Sequence, residues 1–228
     1  MAHSEVEALL AEAEQARREQ ADPERRLEVL IRLARAAAPR SHGWLYAQRH
    51  IAELCAAEDP WRASLLARRV VAVWAHDDGA WAILGLAQSL LGHLRFAVRA
   101  YRRALALAPD NPYYAHNLGH LYDVAVGRPE LAVPLLERAW RRLPHEPEIV
   151  CSLAHALARD GKARRARHLL APVLRSAPNA ERRALGRFVA GLARREGPAA
   201  ATRTASGGPE EPARRRSRKR RHTRAPSG

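Results

Sequence analysis

With 228 residues, the chain has room for one ordinary domain or a short repeat array but not for two large domains. Aromatic residues make up only 5 % against 47 % hydrophobic overall, a balance that disfavours β-sheet and points to an all-α fold. The formal charge of +15, with Lys162 and Lys219 the only lysines among 39 basic residues, disfavours basic partners and favours acidic proteins, nucleic acid or anionic surfaces.

The N-terminal stretch carries Glu5, Glu7, Glu12 and Glu14 and lacks both a basic leader and an apolar secretory core. No apolar run reaches the length that spans a bilayer. Cys55 and Cys151 lie far apart without a paired framework, which disfavours a disulfide scaffold and favours a reducing compartment. A cytoplasmic protein without a transmembrane segment is expected.

In chain order, residues 8–41 read as a first helix pair, with Asp22-Pro23 opening its second helix and Pro39 near its end. Residues 44–77 read as a second pair, in which Asp59-Pro60 supplies an acidic cap and a proline in the first turn. The clearest unit is 78–111, DGAWAILGLAQSLLGHLRFAVRAYRRALALAPDN, with Trp81, Leu84, Gly85, Gly92, Ala97, Tyr101, Ala104 and Pro109 at positions 4, 7, 8, 15, 20, 24, 27 and 32. Residues 112–146 repeat the pattern with Ala115, Leu118, Gly119, Tyr122, Ala132, Leu136, Ala139 and Pro144, plus one extra residue that is expected in the turn. Residues 147–180 return to the standard length with Leu153, Ala154, Gly161, Ala166, Leu170 and Pro178.

Three consecutive units of this kind resemble the tetratricopeptide repeat (TPR) consensus, and the two upstream units are degenerate versions, the second having Ala75 where the closing proline would stand. The chief departure in 78–111 is Gln88, where a tyrosine is usual. The resemblance implies a right-handed α-solenoid of antiparallel helix pairs. Gly85, Gly119, Ala97 and Ala132 would let paired backbones approach, while Leu84, Leu118, Tyr101 and Leu136 fill the space between them. Each pair buries its face only by stacking on neighbours. Residues 181–195 should add a closing helix with Leu185, Phe188, Val189 and Leu192 on one side, completing a domain over 1–196.

Residues 197–228 lack any apolar period and are rich in Pro, Gly, Ser and Thr, so a disordered tail is expected. Its basic centre comprises Arg214, Arg215, Arg216, Arg218, Lys219, Arg220 and Arg221. This run is the candidate polyanion-binding segment, for nucleic acid or an acidic protein.

The resemblance also implies that a ligand, a peptide or helix of another protein, lies along the concave face of the first helices. Carried over by position, that face would be Gly79, Ala82, Ile83, Leu86, Ser89 and Leu90, then Tyr113, His116, Asn117, His120, Asp123 and Val124. The last unit adds Glu148, Cys151, Ser152, His155, Ala158 and Arg159. Asn117 is the most interpretable, since its amide can both donate to and accept from an extended peptide backbone. The carboxylate clamp of chaperone-binding TPR domains fails, because Ala82 and Leu86 stand where Lys and Asn are needed and Glu148 and Ser152 where basic residues are needed.

His116 and His120 sit one helical turn apart, as do Cys151 and His155 at equivalent positions of the next unit. With Asp123 nearby this is a tetrahedral zinc donor set on paper, but the sequence does not fix the separation of the two helices, about 8–10 Å for packed pairs, on which shared ligation depends. A polar groove wall is the preferred reading, no metal is assigned, and zinc stays as the alternative. Trp44, Trp61, Trp74, Trp81 and Trp140 are expected to pack structurally. Arg68-Arg69, Arg102-Arg103, Arg141-Arg142 and Arg164-Arg165 should form a solvated convex face; with the basic run they supply the alternative reading, a nucleic-acid-associated protein. No nucleophile elbow, phosphate loop or HExxH helix appears, Ser152 and His155 lack an orienting acid, and a non-enzymatic scaffold without cofactor is expected.

Overall fold

The computed structural model describes residues 2–196, and the basic run at 214–221 lies outside them. Among the described residues there are eleven α-helices and no strand. Five antiparallel pairs follow one another: α1 (Ala2–Arg18) with α2 (Pro23–Ala36), α3 (His42–Cys55) with α4 (Pro60–Val73), α5 (Asp78–Leu90) with α6 (Leu94–Leu107), α7 (Pro112–His120) with α8 (Pro129–Arg142), and α9 (Pro147–Arg159) with α10 (Ala163–Ser176). A single helix, α11 (Ala180–Arg195), ends the array. Helix α1 begins ahead of residue 8, where the first pair was expected to start.

Local chemistry sets the helix starts. Asp22, Ser41, Asp59, Asp77, Asn111 and Asn179 each accept a backbone N–H of the following first turn with their side chains. Pro23, Pro60, Pro112, Pro129 and Pro147 occupy first-turn positions, where no intrahelical N–H is lost. Within the last three pairs the turn places Gly92, Gly127 and Gly161 at φ of 75°, 72° and 73°, a left-handed conformation that a side chain would strain.

Each helix packs on its sequence neighbours, and the first helices also touch one another, α1 on α3, α3 on α5, α7 on α9 and α9 on α11. The Tyr114 hydroxyl donates to Asp78 Oδ2 at 2.8 Å and links α7 to α5. A succession of apolar clusters therefore runs the length of the stack. Leu84, Leu118, Tyr101 and Leu136 are buried within it against the small Ala97 and Ala132, as the consensus positions require. Helix α11 covers its end with Val189 and Ala193, and the Glu196 carboxylate accepts the first N–H groups of α10, from Ala163 and, at 3.1 Å, from Arg164.

Two expectations change. The extra residue of the fourth unit is not in its turn: Val126, Gly127 and Arg128 match the three-residue turns of the neighbouring pairs, and the surplus is absorbed by a π-helical turn, Leu121–Ala125, that extends α7. The tryptophans divide as well. Trp44 and Trp140 pack against the core and the Trp81 indole donates to the Ala75 carbonyl at 2.9 Å, but Trp61 is 68 % exposed and Trp74 is also open to solvent.

Candidate groove at the first-helix face

The first helices α5, α7 and α9, with the π-helical turn that extends α7, carry the side chains expected to meet a ligand. Leu86 and Leu90 on α5 and Tyr113 on α7 are exposed. Ile83 is buried in the core between α3 and α5, so it backs this surface without facing it. Nearer the C-terminal end, a cleft of about 290 Å³ opens between α7, α9 and α11. It gathers His120, Val124, Glu148, Cys151, Ser152 and His155 of the expected face, and adds the cap residue Asn179 with Glu181, Arg182 and Leu185 of α11.

Several of these side chains hold the helices together. His116 Nε2 lies 2.9 Å from Ser152 Oγ, bridging α7 and α9. Asp123, at 1 % exposure, accepts from His155 Nδ1 at 2.5 Å and from Arg159 Nη1 at 2.8 Å; Arg159 also donates to the Asp123 carbonyl. The π-helical turn that carries Asp123 is what aims it at α9. Asn117 is half-buried, and its amide nitrogen donates to the Tyr101 hydroxyl at 3.2 Å, so one side of that amide is already satisfied within the fold. Burial pushes the Tyr101 phenol up, and the group serves as a neutral partner. The His155 ring stacks on Phe188 of α11 at 5.6 Å between centroids.

Electrostatically the cleft is mixed. Arg182 reaches from α11 to Glu148 Oε1 at 2.9 Å, pinning α11 across the mouth of α9. Burial raises the Cys151 thiol, with Arg182 opposing, which keeps it a neutral lining group. Burial lowers His116, and the neighbouring His120 adds to the effect. Partial desolvation against the neighbouring helix also lowers His120, opposed by the Asp123 carboxylate, although much of its side chain stays exposed.

A pH dependence follows. In the folded chain these rings take up protons only below the ordinary value of 6.5, so between their depressed values and about 6.5 the unfolded chain binds more protons and stability falls as pH falls. His116 carries most of this, because the His120 side chain is open to water. Lowering the pH from about 7.5 to about 5.5 should reduce the melting temperature by a few degrees, and His116→Gln should shrink that reduction. An identical pH response in the variant would remove His116 as the cause.

Chemically the arrangement separates the parts of a hydrolytic relay. Ser152 meets His116, whereas the acid Asp123 meets His155, so no one imidazole joins the nucleophile to an orienting carboxylate. The zinc set is divided in the same way, with one nitrogen of His116 and one of His155 already engaged by protein. Among the described residues no group of three His, Cys, Asp or Glu side chains is placed to hold a metal ion. The α11 residues are absent from the sequence-based set because that helix reads as a lid; its packing beside α9 makes it a sixth first helix.

No curated protein matches the chain. Among solved structures, the chain superposes on YrrB, described as a TPR protein with an unusual peptide-binding site, with a TM-score of 0.64 at 18 % identity, covering 74 % of this chain and 85 % of that one. It superposes on MamA with a TM-score of 0.59 at 18 % identity, covering 75 % and 90 %. A thermophilic TPR protein from Thermus thermophilus gives 0.57 at 19 % identity, covering 83 % and 99 %. These likenesses establish the fold. The tetratricopeptide repeat family model matches residues 123–187, from the π-helical turn through α8, α9 and α10 into α11. Helix pairs of this pattern, together with that match over 123–187, support a protein built from tetratricopeptide-type repeats.

Proposed function

We propose that the protein is a non-enzymatic scaffold that holds a peptide or helical segment of another protein along its first-helix face. The observation that carries this reading is the run of exposed apolar side chains on that face, Leu86, Leu90, Tyr113 and Val124, leading into the cleft between α7, α9 and α11. Apolar anchors rimmed by polar groups such as His120, Glu148 and Arg182 are what an amphipathic partner segment requires. The peptide-binding site described for YrrB concerns that protein, and supports the reading only as an analogy of fold. Among the described residues no helix is long and apolar enough to cross a membrane, and Cys55 and Cys151 are unpaired, which supports placement in a reducing cytoplasm.

The test is selection of peptides from a display library on the intact protein at high salt, so that attraction to the basic residues 214–221 is suppressed. Selected peptides are then titrated against Leu90→Asp and against Tyr113→Ala/His120→Ala, all exposed positions. Affinity should fall about tenfold or more, the loss typical of an interface anchor. Unchanged affinity in both variants would move the ligand off this face. Asn117→Ala is a poorer probe, since it also removes the bond to Tyr101 and costs about 1 kcal/mol of stability.

A further inference from the structure

A second cleft, larger than the first at about 660 Å³, opens on the other side of the solenoid. Helices α4 and α6 both pack on α5 and leave this gap between them. Its floor is Leu84 and Gln88 of α5, and its walls carry Trp61 of α4, Phe96 of α6 and three arginines, Arg68, Arg99 and Arg103.

The cleft exists because of the departure at Gln88. In the next two units the corresponding residues are Tyr122, partly buried against the core, and Leu157, fully buried. Gln88 is instead held to one side, its amide nitrogen donating to Ser64 Oγ at 2.6 Å and its carbonyl oxygen 3.0 Å from His93 Nδ1. The space a larger side chain would fill is left open. Trp61 and Phe96, at 68 % and 61 % exposure, flank it largely open to solvent, with His93 as their ring neighbour, which is unusual for aromatics that the fold does not need at the surface.

Charge identifies the occupant. No carboxylate lines the cleft, and among the described residues Arg68, Arg99 and Arg103 have no acidic partner. Three guanidinium groups around an apolar hollow match a segment whose carboxylates flank a bulky apolar side chain. The chain's own residues 197–228 are excluded as the occupant by their net positive charge. Bases are a poor fit, because Trp61 meets His93 at 84° and His93 meets Phe96 at 75°, forming a corner and not a parallel-sided slot.

We propose that the cleft between α4 and α6 is a second docking site, distinct from the first-helix face, for an acidic segment of a partner protein that inserts one large apolar side chain between Trp61 and Phe96.

The test measures anisotropy of a fluorescein-labelled peptide of Asp and Glu flanking a central Leu-Phe pair, with the full chain. Controls are a peptide with Gln for the acids, one with Ser for the apolar pair, and labelled oligothymidine. The acidic peptide should bind, and both altered peptides should bind at least about tenfold more weakly. Trp61→Ala/Phe96→Ala and Arg99→Gln/Arg103→Gln should each weaken the acidic peptide by a similar factor. Gln88→Tyr, which fills the hollow, should do the same, while Tyr113→Ala/His120→Ala should have no effect. All changed side chains except Gln88 are exposed, so these variants should melt like the wild type. Residues 197–228 are common to every variant, so their attraction for the peptide cancels. Equal binding by wild type and the cleft variants would overturn the proposal. So would oligothymidine binding that depends on the same residues, or self-association lost in Trp61→Ala and not displaced by the peptide.

Discussion

Gly119→Leu is expected to lower the melting temperature by roughly 6–12 °C, the equivalent of about 3 kcal/mol in a chain of this size. A Cβ at Gly119 would stand 2.7 Å from Leu136 Cγ, 3.1 Å from Leu136 Cδ2 and 3.3 Å from the Ala132 carbonyl oxygen. Leu136 is fully buried and cannot swing away, and the Ala132 contact is backbone, so α7 and α8 must separate. Helix propensity opposes the effect, since replacing glycine in a helix gains up to about 1 kcal/mol, but the larger Leu side chain outweighs it. Gly85 repeats the geometry, with an added Cβ only 2.7 Å from the Tyr101 ring. Arg102→Ala, at an exposed position of α6, should stay within about 0.5 kcal/mol of wild type. Thermal melts of the variants decide the matter: a Gly119→Leu protein as stable as Arg102→Ala would mean that α7 and α8 are not in close contact.

Asp123→Ala is expected to cost about 3 kcal/mol, a melting-temperature loss comparable to that of Gly119→Leu. The carboxylate is buried and is the shared acceptor of His155 and Arg159, so its removal leaves two polar groups of α9 without their partner. The loss sits at the low end for a broken buried pair because Arg159 is one-third exposed and keeps its bond to the Asp123 carbonyl. Asp123→Asn retains an acceptor and should lose about half as much. If the alanine variant melts like wild type, the link between α7 and α9 does not stabilise the array.

These two residues also mark what the sequence reveals and what it conceals. Gly119 is legible because close approach of paired helices allows nothing larger, and the demand recurs at Gly85, so the fold of the last three full pairs follows from repeated small and large positions. Asp123 is not legible. Its unit has one residue too many, and a turn is the default place for an insertion; the insertion instead widens the end of α7, which turns Asp123 inward toward Arg159 and away from a ligand. Ile83 leaves the expected surface set for a related reason, since a position number fixes a helix face only to within the width of that face. Leu86, Leu90 and Tyr113 are exposed on the helices where their positions put them.

The departure at Gln88 is visible as a letter, but its consequence is not. Whether a shorter side chain is compensated by a neighbour or leaves a hollow depends on packing across α4 and α6, and here Gln88 turns to Ser64 and His93 and leaves the hollow open. The role of α11 is hidden in the sequence because an amphipathic last helix reads as a cover. Arg182, Leu185 and Phe188 show that it also lines the cleft or contacts it.

The central claim, that the first-helix face holds a partner segment, is tested most directly by amide hydrogen exchange on the full chain with and without a library-selected peptide. Opening free energies differ along the array, so a bound segment reports itself as local slowing of exchange. Slowing is expected on α5, α7, α9 and α11, strongest beside His120 and Leu185. Slowing confined to residues 197–228, or to the second helices, would contradict the claim.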